Sequence, residues 1–457
     1  MTGTVIKGGQ VCSTSVAGRY DIRLESGRIA AVAPSIRLEP GDRTIDAAGM
    51  TVIPGLIDVH VHFRDPGSPE RESFLTGTAA AAANGVTTVL EMPTADVPIT
   101  TAERLLSRAR HLVGRSYIDF GLYGGAGRDS LNDVAACAKA GAIAFKTFTH
   151  RPNPSRADAF AGLWAVDEPD LLETMRAVAS TGRVHAVHCE NDALLEHFAD
   201  QDRPDDPFGL RHRGARPAVV EESAIALVAG LSLETRSRVH LVHVSTDRAA
   251  GIADAVRRVG ADLSIETCPH YLILDDRTLD RLGSYAKCNP PLRPEGTRDR
   301  LVAQLRSGLV DIIASDHCSY TTEELEEHAD DPCHALPGLP GIEFLLPSLL
   351  RIAADGGIEL RSVLASMTSA PAQRFGLTGK GDIVVGHDAD LVVVDPSAAV
   401  SFDVDAPFHA MGSRNAVYLE AVELRGRAVT TLVRGEPVVV DGELVGSPSH
   451  GRWIRGN

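Results

Sequence analysis

The sequence lacks the features of secreted, membrane-spanning and nucleic-acid-binding proteins. No stretch approaches the roughly 18 consecutive apolar residues of a membrane span, and the N-terminal residues lack the apolar core of a signal peptide. No basic stripe offsets the excess of 61 acidic over 45 basic residues, which gives a formal net charge of -16. Because phosphate groups attract basic surfaces, we expect a cytoplasmic protein that binds neither nucleic acid nor a membrane.

Paired cysteine spacings are also absent. The seven cysteines are odd in number and scattered, with no CxxC pattern. This indicates reduced thiols in a cytosol rather than a disulfide framework. The 44% hydrophobic and 23% charged fractions are typical of a globular protein. At 457 residues the chain exceeds one usual core, so we expect one large domain and a smaller one.

The middle of the chain alternates short apolar runs with amphipathic helical patterns. The eight runs are Ile57–His62, Val86–Met92, Ile118–Tyr123, Ala142–Phe148, Val184–Cys189, Val239–Val244, Leu263–Thr267 and Asp311–Ser315. Continuous apolar runs are typical of buried parallel strands, and eight β–α units predict a (β/α)8 TIM barrel over residues 55–374. A doubly wound open sheet is the alternative. It would carry a glycine-rich phosphate turn after its first strand, and none follows here.

The two ends of the chain carry short β segments separated by glycines. The Glu25-Ser26-Gly27 turn predicts a hairpin between Ile22–Leu24 and Ile29–Val32. After about residue 375 similar signals return, as in GDIVVGHDADLVVVDP. We expect residues 1–54 and 375–457 to pack together as one small β-sandwich domain beside the barrel.

Two histidines lie at the end of the first predicted barrel strand, in GLIDVHVHFRDPG at residues 55–67. A spacing of two puts His60 and His62 on the same face of a strand. Adjacent imidazoles can form half of a divalent-metal site. The alternative is a strand end with two half-exposed histidines, so other strands must supply the remaining ligands.

The other predicted strands also end on residues of the types that bind metals. Catalytic groups of a TIM barrel lie at the carboxyl ends of its strands. The polar residues predicted at this rim are His60, His62, Lys146, His188, His243 and Asp316. Singly, a strand lysine usually reaches the surface, and a strand-end aspartate often caps a helix. Spacing alone does not choose His188 over His185 or His243 over His240. The coincidence of so many potential ligands at one rim nevertheless favours a metal site.

The number of ligands favours two metal ions over one. A catalytic zinc keeps three protein ligands and an open position, whereas this set offers five ligands and a possible bridge. Lys146 could bind metal only without its positive charge, as the carboxylated amine formed with CO2. Two metals about 3.5–4 Å apart that share a hydroxide supply a nucleophile at neutral pH. Asp316 could accept its proton and pass it to a leaving nitrogen.

The motifs as a set resemble those of the cyclic amidohydrolases of the amidohydrolase superfamily: dihydroorotases, allantoinases and dihydropyrimidinases, or hydantoinases. The resemblance covers nearly the whole chain and rests on GLIDVHVHFRDPG, FKTF, HCEN, VHVST, TCPHYL, KCNPPLR and SDHCSYTTEE. It implies a TIM barrel with a β-sandwich domain and two divalent metal ions, with zinc as the expected metal.

The resemblance also implies roles for individual residues. His60 and His62 would hold the more buried metal, and N6-carboxylysine at Lys146 would bridge to the second. His188 and His243, rather than His185 and His240, would bind that second metal. Asp316 would be both a ligand and the general base.

The substrate-facing residues point to different subfamilies. Arg64 in HFRDPG matches the dihydroorotase arginine that pairs with a substrate carboxylate, a task suited to a guanidinium fork. A turn arginine paired with a surface acid is its alternative. Thr94 stands where dihydroorotases have the asparagine of MPNT, and it is included among the substrate contacts. Asn289 and Pro337–Gly338 fall on segments that face the substrate in the family.

Other motifs favour subfamilies that hydrolyse other rings. FKTF and KCNPP are similar to allantoinases and SDHCSYTTEE to hydantoinases, but the hydantoinase tyrosine is absent, since Thr149 and His150 follow Phe148. We expect a hydrolase of a small cyclic amide or ureide, with a dihydroorotase-like substrate placed first because of Arg64. Allantoin, hydantoin and dihydropyrimidine rings are alternatives. We also expect a homo-oligomer, a dimer or tetramer. A non-catalytic scaffold would show gaps in the ligand set, and the sequence has none.

Overall fold

The N-terminal segment forms the first strands of a mostly antiparallel sheet in the computed structural model, which describes residues 3–400 and 417–456. Its strands are β1 Thr4–Cys12, β2 Ala17–Glu25, β3 Arg28–Ala33, β4 Arg43–Asp46 and β5 Thr51–Pro54. The predicted hairpin is present, because β2 and β3 pair antiparallel with Ile22 opposite Val32. Its turn residues Ser26 and Gly27 adopt φ of 50° and 78°, as a tight turn requires.

The apolar runs in the middle of the chain form the parallel strands of a closed barrel. These are β6 Leu56–His62, β7 Val86–Glu91, β8 Asp119–Leu122, β9 Gly124–Gly125, β10 Ala144–Phe148, β11 Val184–His188, β12 Arg238–Leu241, β13 Leu263–Thr267, β14 Ile312–Ile313 and β15 His317–Cys318. The short segments β8 and β9 together form the third strand, and β14 and β15 the eighth. Pairing of β15 with β6 closes the barrel. The TIM-barrel prediction is confirmed.

Helices connect the strands and cover the outside of the barrel. Their bounds are α1 Phe74–Ala83, α2 Ala102–Leu112, α3 Val134–Ala140, α4 Glu168–Ala179, α5 Asp192–Ala199, α6 Phe208–Ala215, α7 Ala218–Thr235, α8 Asp247–Arg257, α9 Pro269–Ile273, α10 Asp276–Leu282, α11 Glu295–Arg306, α12 Thr322–Glu327, α13 Leu345–Gly356, α14 Leu360–Ala365, α15 Ser369–Phe375 and α16 Val417–Ala421. Short 3-10 helices lie at Arg128–Asp133, Pro154–Arg156, Asp158–Phe160, Gly283–Ala286 and Ile342–Phe344. Several helices begin at a side-chain cap, such as Ser73 and Thr246.

The barrel interior is packed rather than hollow. Ile57, Leu90, Tyr123 and Ala186 belong to one buried cluster, and Phe375 of α15 joins it. Polar side chains at the carboxyl ends of the strands therefore stand on a rigid apolar base.

The C-terminal segment completes the sheet that the N-terminal segment begins. Its strands are β16 Leu391–Ala399, β17 Arg425–Val433, β18 Glu436–Val440 and β19 Glu443–Leu444. Antiparallel pairing of β16 with β5 joins the two ends into one nine-stranded sheet. The sheet contacts the barrel, where Thr431 donates a hydrogen bond of 2.8 Å to the Ala82 carbonyl. The two ends thus combine as predicted, and the boundaries at residues 54 and 375 stay predictions.

Two further expectations concern the chain's surroundings. All seven cysteines are free of disulfides, which agrees with the prediction of reduced thiols. Across residues 3–400 and 417–456, no helix has the length and apolar character that crossing a membrane demands. The cytoplasmic location and the homo-oligomeric state stay predictions.

Candidate metal and substrate site

A cavity of about 510 Å³ opens at the carboxyl ends of the barrel strands. Every residue that the sequence singled out, except Thr94, lines this cavity: His60, His62, Arg64, Lys146, His188, His243, Asn289, Asp316, Pro337 and Gly338. The fold therefore brings together side chains that are up to 278 positions apart in the chain, from residue 60 to residue 338.

His60, His62 and Asp316 converge on one point. One Asp316 carboxylate oxygen lies 3.2 Å from His60 Nε2 and 3.3 Å from His62 Nε2. Strand β6 supplies both imidazoles from one face, and Asp316 lies in the break between β14 and β15 with a φ of 49°. This left-handed backbone is uncommon for a non-glycine residue. Two imidazole nitrogens and a carboxylate oxygen within 4.8 Å of one another form a group that could hold a divalent metal.

The other ring nitrogen of each histidine is held by a buried partner. His60 Nδ1 lies 2.9 Å from Glu266 Oε1, and His62 Nδ1 lies 2.7 Å from Thr94 Oγ1. A donor bond from Nδ1 leaves the Nε2 lone pair available for a metal. Thr94, expected among the substrate contacts, instead lies behind His62 and lines a neighbouring cavity. Its short side chain reaches the imidazole rather than the substrate cavity.

Lys146 is completely enclosed near these ligands. Its side chain comes from β10, is 1% exposed, and places Nζ 5.1 Å from the centre of the Phe148 ring. Burial lowers the pKa of Lys146 to about 8. A larger fraction of neutral amine is therefore present near neutral pH, and the neutral amine is the form that reacts with CO2. The surroundings fit a carboxylated lysine.

His188 and His243 lie side by side next to the first group. Their ring centroids are 4.5 Å apart, and the His243 ring is 5.5 Å from that of His60. His188 Nε2 lies 2.8 Å from Glu190 Oε2, so its Nδ1 is left for another ligand. His243 Nδ1 is buried and has no hydrogen-bond partner within the described residues. Such an orphaned nitrogen fits a metal ligand, because a bound ion would satisfy it.

Of the neighbouring histidines, His240 has both ring nitrogens bonded and His185 has one. His240 uses both ring nitrogens, one 2.8 Å from Ser264 Oγ and the other 2.9 Å from Glu266 Oε2. His185 Nε2 lies 2.7 Å from Thr147 Oγ1 in the barrel wall. Neither lines the cavity, whereas His188 and His243 do. The geometry therefore favours the pair that the family motifs selected.

Sequence reasoning missed a carboxylate that organises the candidate metal-binding histidines. Glu266 on β13 receives hydrogen bonds from the His60 ring, the His240 ring and, at 2.9 Å, the His243 backbone N–H. Burial acts to raise the pKa of Glu266, but His60 and His240 outweigh it and hold that pKa well below its usual range. The available signal was an acidic residue inside the apolar run LSIET, where a carboxylate needs buried partners.

A second missed carboxylate fixes the strand that carries His60. Asp58 Oδ1 accepts backbone N–H bonds from His60 at 3.2 Å and from Ser315 at 3.1 Å. It thus links β6 to the segment that presents Asp316. Burial raises the pKa of Asp58 to about 6.

Loops that line the cavity carry the candidate substrate contacts. Arg64 is 6% exposed, and its Nη2 donates to Cys318 Sγ at 3.0 Å and to Tyr320 Oη at 3.2 Å. Arg64 Nη1 and Asn289 Oδ1 are both buried with no hydrogen-bond partner in the described part of the chain. A Cβ at Gly338 would lie 2.6 Å from Cys318 Sγ, so only glycine fits. Arg64 and Asn289 thus line the cavity, and each holds one polar atom without a partner among the described residues.

Comparisons with known proteins agree with this geometry. Residues 51–438 match the model of the Amidohydrolase family. The chain is 33% identical over 453 residues to the allantoinase of Bacillus velezensis, covering 99% of this chain and 97% of the relative. It is 33% identical over 435 residues to the dihydroorotase of Methanothermobacter thermautotrophicus, covering 95% and 94%. The solved L-hydantoinase (dihydropyrimidinase) from Arthrobacter aurescens superposes with a TM-score of 0.90 and 29% identity over the whole of both chains.

Proposed function

The chain belongs to the amidohydrolase family and hydrolyses C–N bonds of cyclic amides, and on that premise we propose that its substrate is a neutral cyclic ureide of the allantoin type. The observation that carries the reaction class is the convergence of two imidazole nitrogens on one Asp316 oxygen. The observation that carries the substrate is that Arg64 Nη1 and Asn289 Oδ1 have no partner among the described residues.

We also propose that the site holds two metal ions and that they are zinc. His60 and His62 would hold one ion and His188 and His243 the other, with Lys146 as its N6-carboxylated form between them. When bound, such ions act as Lewis acids on the ring carbonyl and supply a nucleophilic water at neutral pH. Imidazole nitrogens and carboxylate oxygens are the ligands that zinc commonly takes.

The protein's own groups would then manage the proton and the ring. Asp316 would accept the proton of the attacking water and return it to the ring nitrogen that leaves. Its carboxylate is 18% exposed and lies at the floor of the cavity, between His60 and His62. Lys146 is 1% exposed, so bulk water has little access to its carboxylated form.

A neutral ring fits the substrate side better than a carboxylate does. Recognition of a carboxylate by two parallel bonds needs Nη2 of the guanidinium together with either Nη1 or Nε. Arg64 Nη2 is already bonded to Cys318 and Tyr320, which leaves Nη1 alone. A ureide places a carbonyl oxygen beside an N–H, and these groups complement the free Arg64 donor and the free Asn289 acceptor. Thr94, at the position of the dihydroorotase asparagine, is bonded to His62.

Dihydroorotate is the second candidate. The observation in its favour is that a buried guanidinium lines the cavity with one unpartnered nitrogen. The preference for a dihydroorotase-like substrate, based on Arg64 in the sequence, therefore stays a prediction.

A ring-opening screen with allantoin, hydantoin, dihydrouracil and dihydroorotate tests the proposal. We expect kcat/KM for allantoin to exceed that for dihydroorotate by at least about 100-fold, because buried groups left unpaired discriminate strongly. A preference for dihydroorotate would overturn the substrate assignment. Fewer than about 0.5 metal ions per chain in metal-replete protein would overturn the two-metal site.

A further inference from the structure

We propose that Lys287 is a positioning residue that holds residues 332–338, the roof of the substrate cavity, in place over the ring. This inference rests on the proposed function, because the roof matters for substrate affinity only if the cavity takes the ring. Lys287 belongs to the KCNPPLR motif, and neither the metal site nor the proton transfer uses it.

Lys287 bonds to the roof at three points. Its Nζ donates to the Pro332 carbonyl at 2.7 Å and to the Ala335 carbonyl. Its own carbonyl accepts the Gly338 N–H at 2.9 Å. These bonds reach the first, middle and last residues of the roof, so one residue fixes the whole segment.

Two neutral side chains also bond the roof. Asn153 Nδ2 donates to the Cys333 carbonyl at 3.0 Å, and Tyr320 Oη donates to the Pro337 carbonyl at 3.0 Å. Each supplies one hydrogen bond, whereas the Lys287 side chain supplies two. We therefore assign the main share of the positioning to Lys287.

The same short segment connects the roof to a candidate substrate contact. Asn289 lies two residues after Lys287, lines the cavity, and has its Oδ1 unpartnered among the described residues. Lys287 thereby fixes the position of Pro337 and Gly338 relative to Asn289. Both predicted substrate-facing segments depend on this one residue for their spacing.

The burial of Lys287 argues for a specific role. The residue is 4% exposed, and no carboxylate in the described ranges forms an ion pair with its Nζ. Burial, together with the nearby Arg216 and Arg156, lowers the pKa of Lys287 to about 7. An apolar side chain of similar length would avoid the cost of burying an amine, but it would leave two roof carbonyls without a donor.

The test compares Lys287→Met with the matched control Lys139→Met, which alters an exposed lysine on α3. In metal-loaded Lys287→Met we expect KM to rise at least about tenfold with kcat changed less than about threefold, since lost roof contacts affect ring binding. Backbone amides of Cys333–Leu336 and Gly338 should exchange hydrogen faster, while bound metal per chain stays unchanged. Lys287→Arg, which keeps the donors, should restore part of the affinity. Lys139→Met should change none of these quantities.

Unchanged amide exchange in the roof of Lys287→Met would overturn the inference, whatever the kinetics show. If the Met variant does not fold, Lys287→Leu, which also lacks a donor, carries the same test with the same criterion. A larger effect on roof exchange from Tyr320→Phe, which removes a single bond to the roof, would also contradict it. Because amide exchange needs no substrate, a failure of the ring-opening screen would not be confused with a failure of this inference.

Discussion

The cavity has two walls, a metal wall and a substrate wall, which differ in the elements that carry their side chains and in how those side chains are bonded. The metal wall consists of His60, His62, Lys146, His188, His243 and Asp316, which lie on or directly beside barrel strands. Most of these imidazoles are fixed by a second buried group, such as Glu266 or Thr94. The substrate wall consists of Arg64, Asn289 and the roof, which lie on loops and keep polar atoms without partners in the described residues.

This difference separates chemistry from specificity. Groups on a rigid strand scaffold can hold ions and a proton-transfer group in fixed geometry, while loops can vary to accept different rings. The relatives illustrate the consequence, since an allantoinase and a dihydroorotase resemble this chain equally in identity. Overall similarity therefore defines the reaction class, and the substrate wall must define the ring.

The largest expected effect is on the metal wall, at Asp316. Asp316→Ala should lower kcat by at least about 10⁴-fold, because it removes both a ligand and the proton-transfer group. The fold should persist, with a stability loss of about 1 kcal/mol because alanine tolerates a positive φ poorly. Steady-state kinetics and circular dichroism measure these outcomes, and the exposed Asp205→Ala is the control. Activity within about tenfold of wild type would show that Asp316 has no catalytic role.

Lys146 tests whether the metal wall depends on a carboxylated lysine. Lys146→Ala should lower kcat more than about 100-fold, because even groups behind the ligands often contribute 10–100-fold. Short carboxylic acids such as propionate should partly restore activity by filling the space with a carboxylate. Metal analysis and rescue kinetics measure this, with Lys139→Ala as the control. Full activity without added acid would exclude the carboxylated lysine.

The metal wall could largely be predicted from the sequence. Its candidate ligands are residue types that commonly bind metals, and they lie in or directly after apolar runs that read as strands. His60 and His62 share a strand face by their spacing alone, and Asp316 follows a strand. The barrel was predictable for the same reason, since eight apolar runs alternate with helical patterns. The joining of both chain ends into one sheet followed from their similar composition.

Partners that act across the barrel could not be predicted. Glu266 bonds side chains from β6 and β12, and nothing in its local sequence indicates either partner. Thr94 was assigned to the substrate by its motif, yet its hydroxyl reaches His62. Lys287 holds a loop 45 residues further along the chain, a contact that only the folded structure reveals.

Glu266 tests how far the metal wall relies on its outer partners. Glu266→Gln should lower metal affinity or activity by about 10–100-fold. All three groups donate to the Glu266 carboxylate, so a glutamine NH2 in place of one oxygen either leaves a donor without its acceptor or forces the facing imidazole to change tautomer. Titration of apoprotein with zinc measures the change, and the exposed Glu70→Gln is the control. If metal affinity and turnover both stay at the wild-type level, the metal wall does not need Glu266, and the contrast between the walls weakens.

The smallest expected effect is on the substrate wall, at Arg64. For a neutral ureide, Arg64→Met removes one hydrogen bond from Nη1, so KM should rise only about three- to tenfold. For a substrate carboxylate, removing a buried charged partner should raise KM more than about 100-fold for that ring alone. Parallel KM measurements with allantoin and dihydroorotate distinguish the two cases, with the exposed Arg110→Met as the control. If KM rises sharply for dihydroorotate alone, Arg64 binds a carboxylate rather than orienting a neutral ring. The substrate would then be a ring that carries a carboxylate.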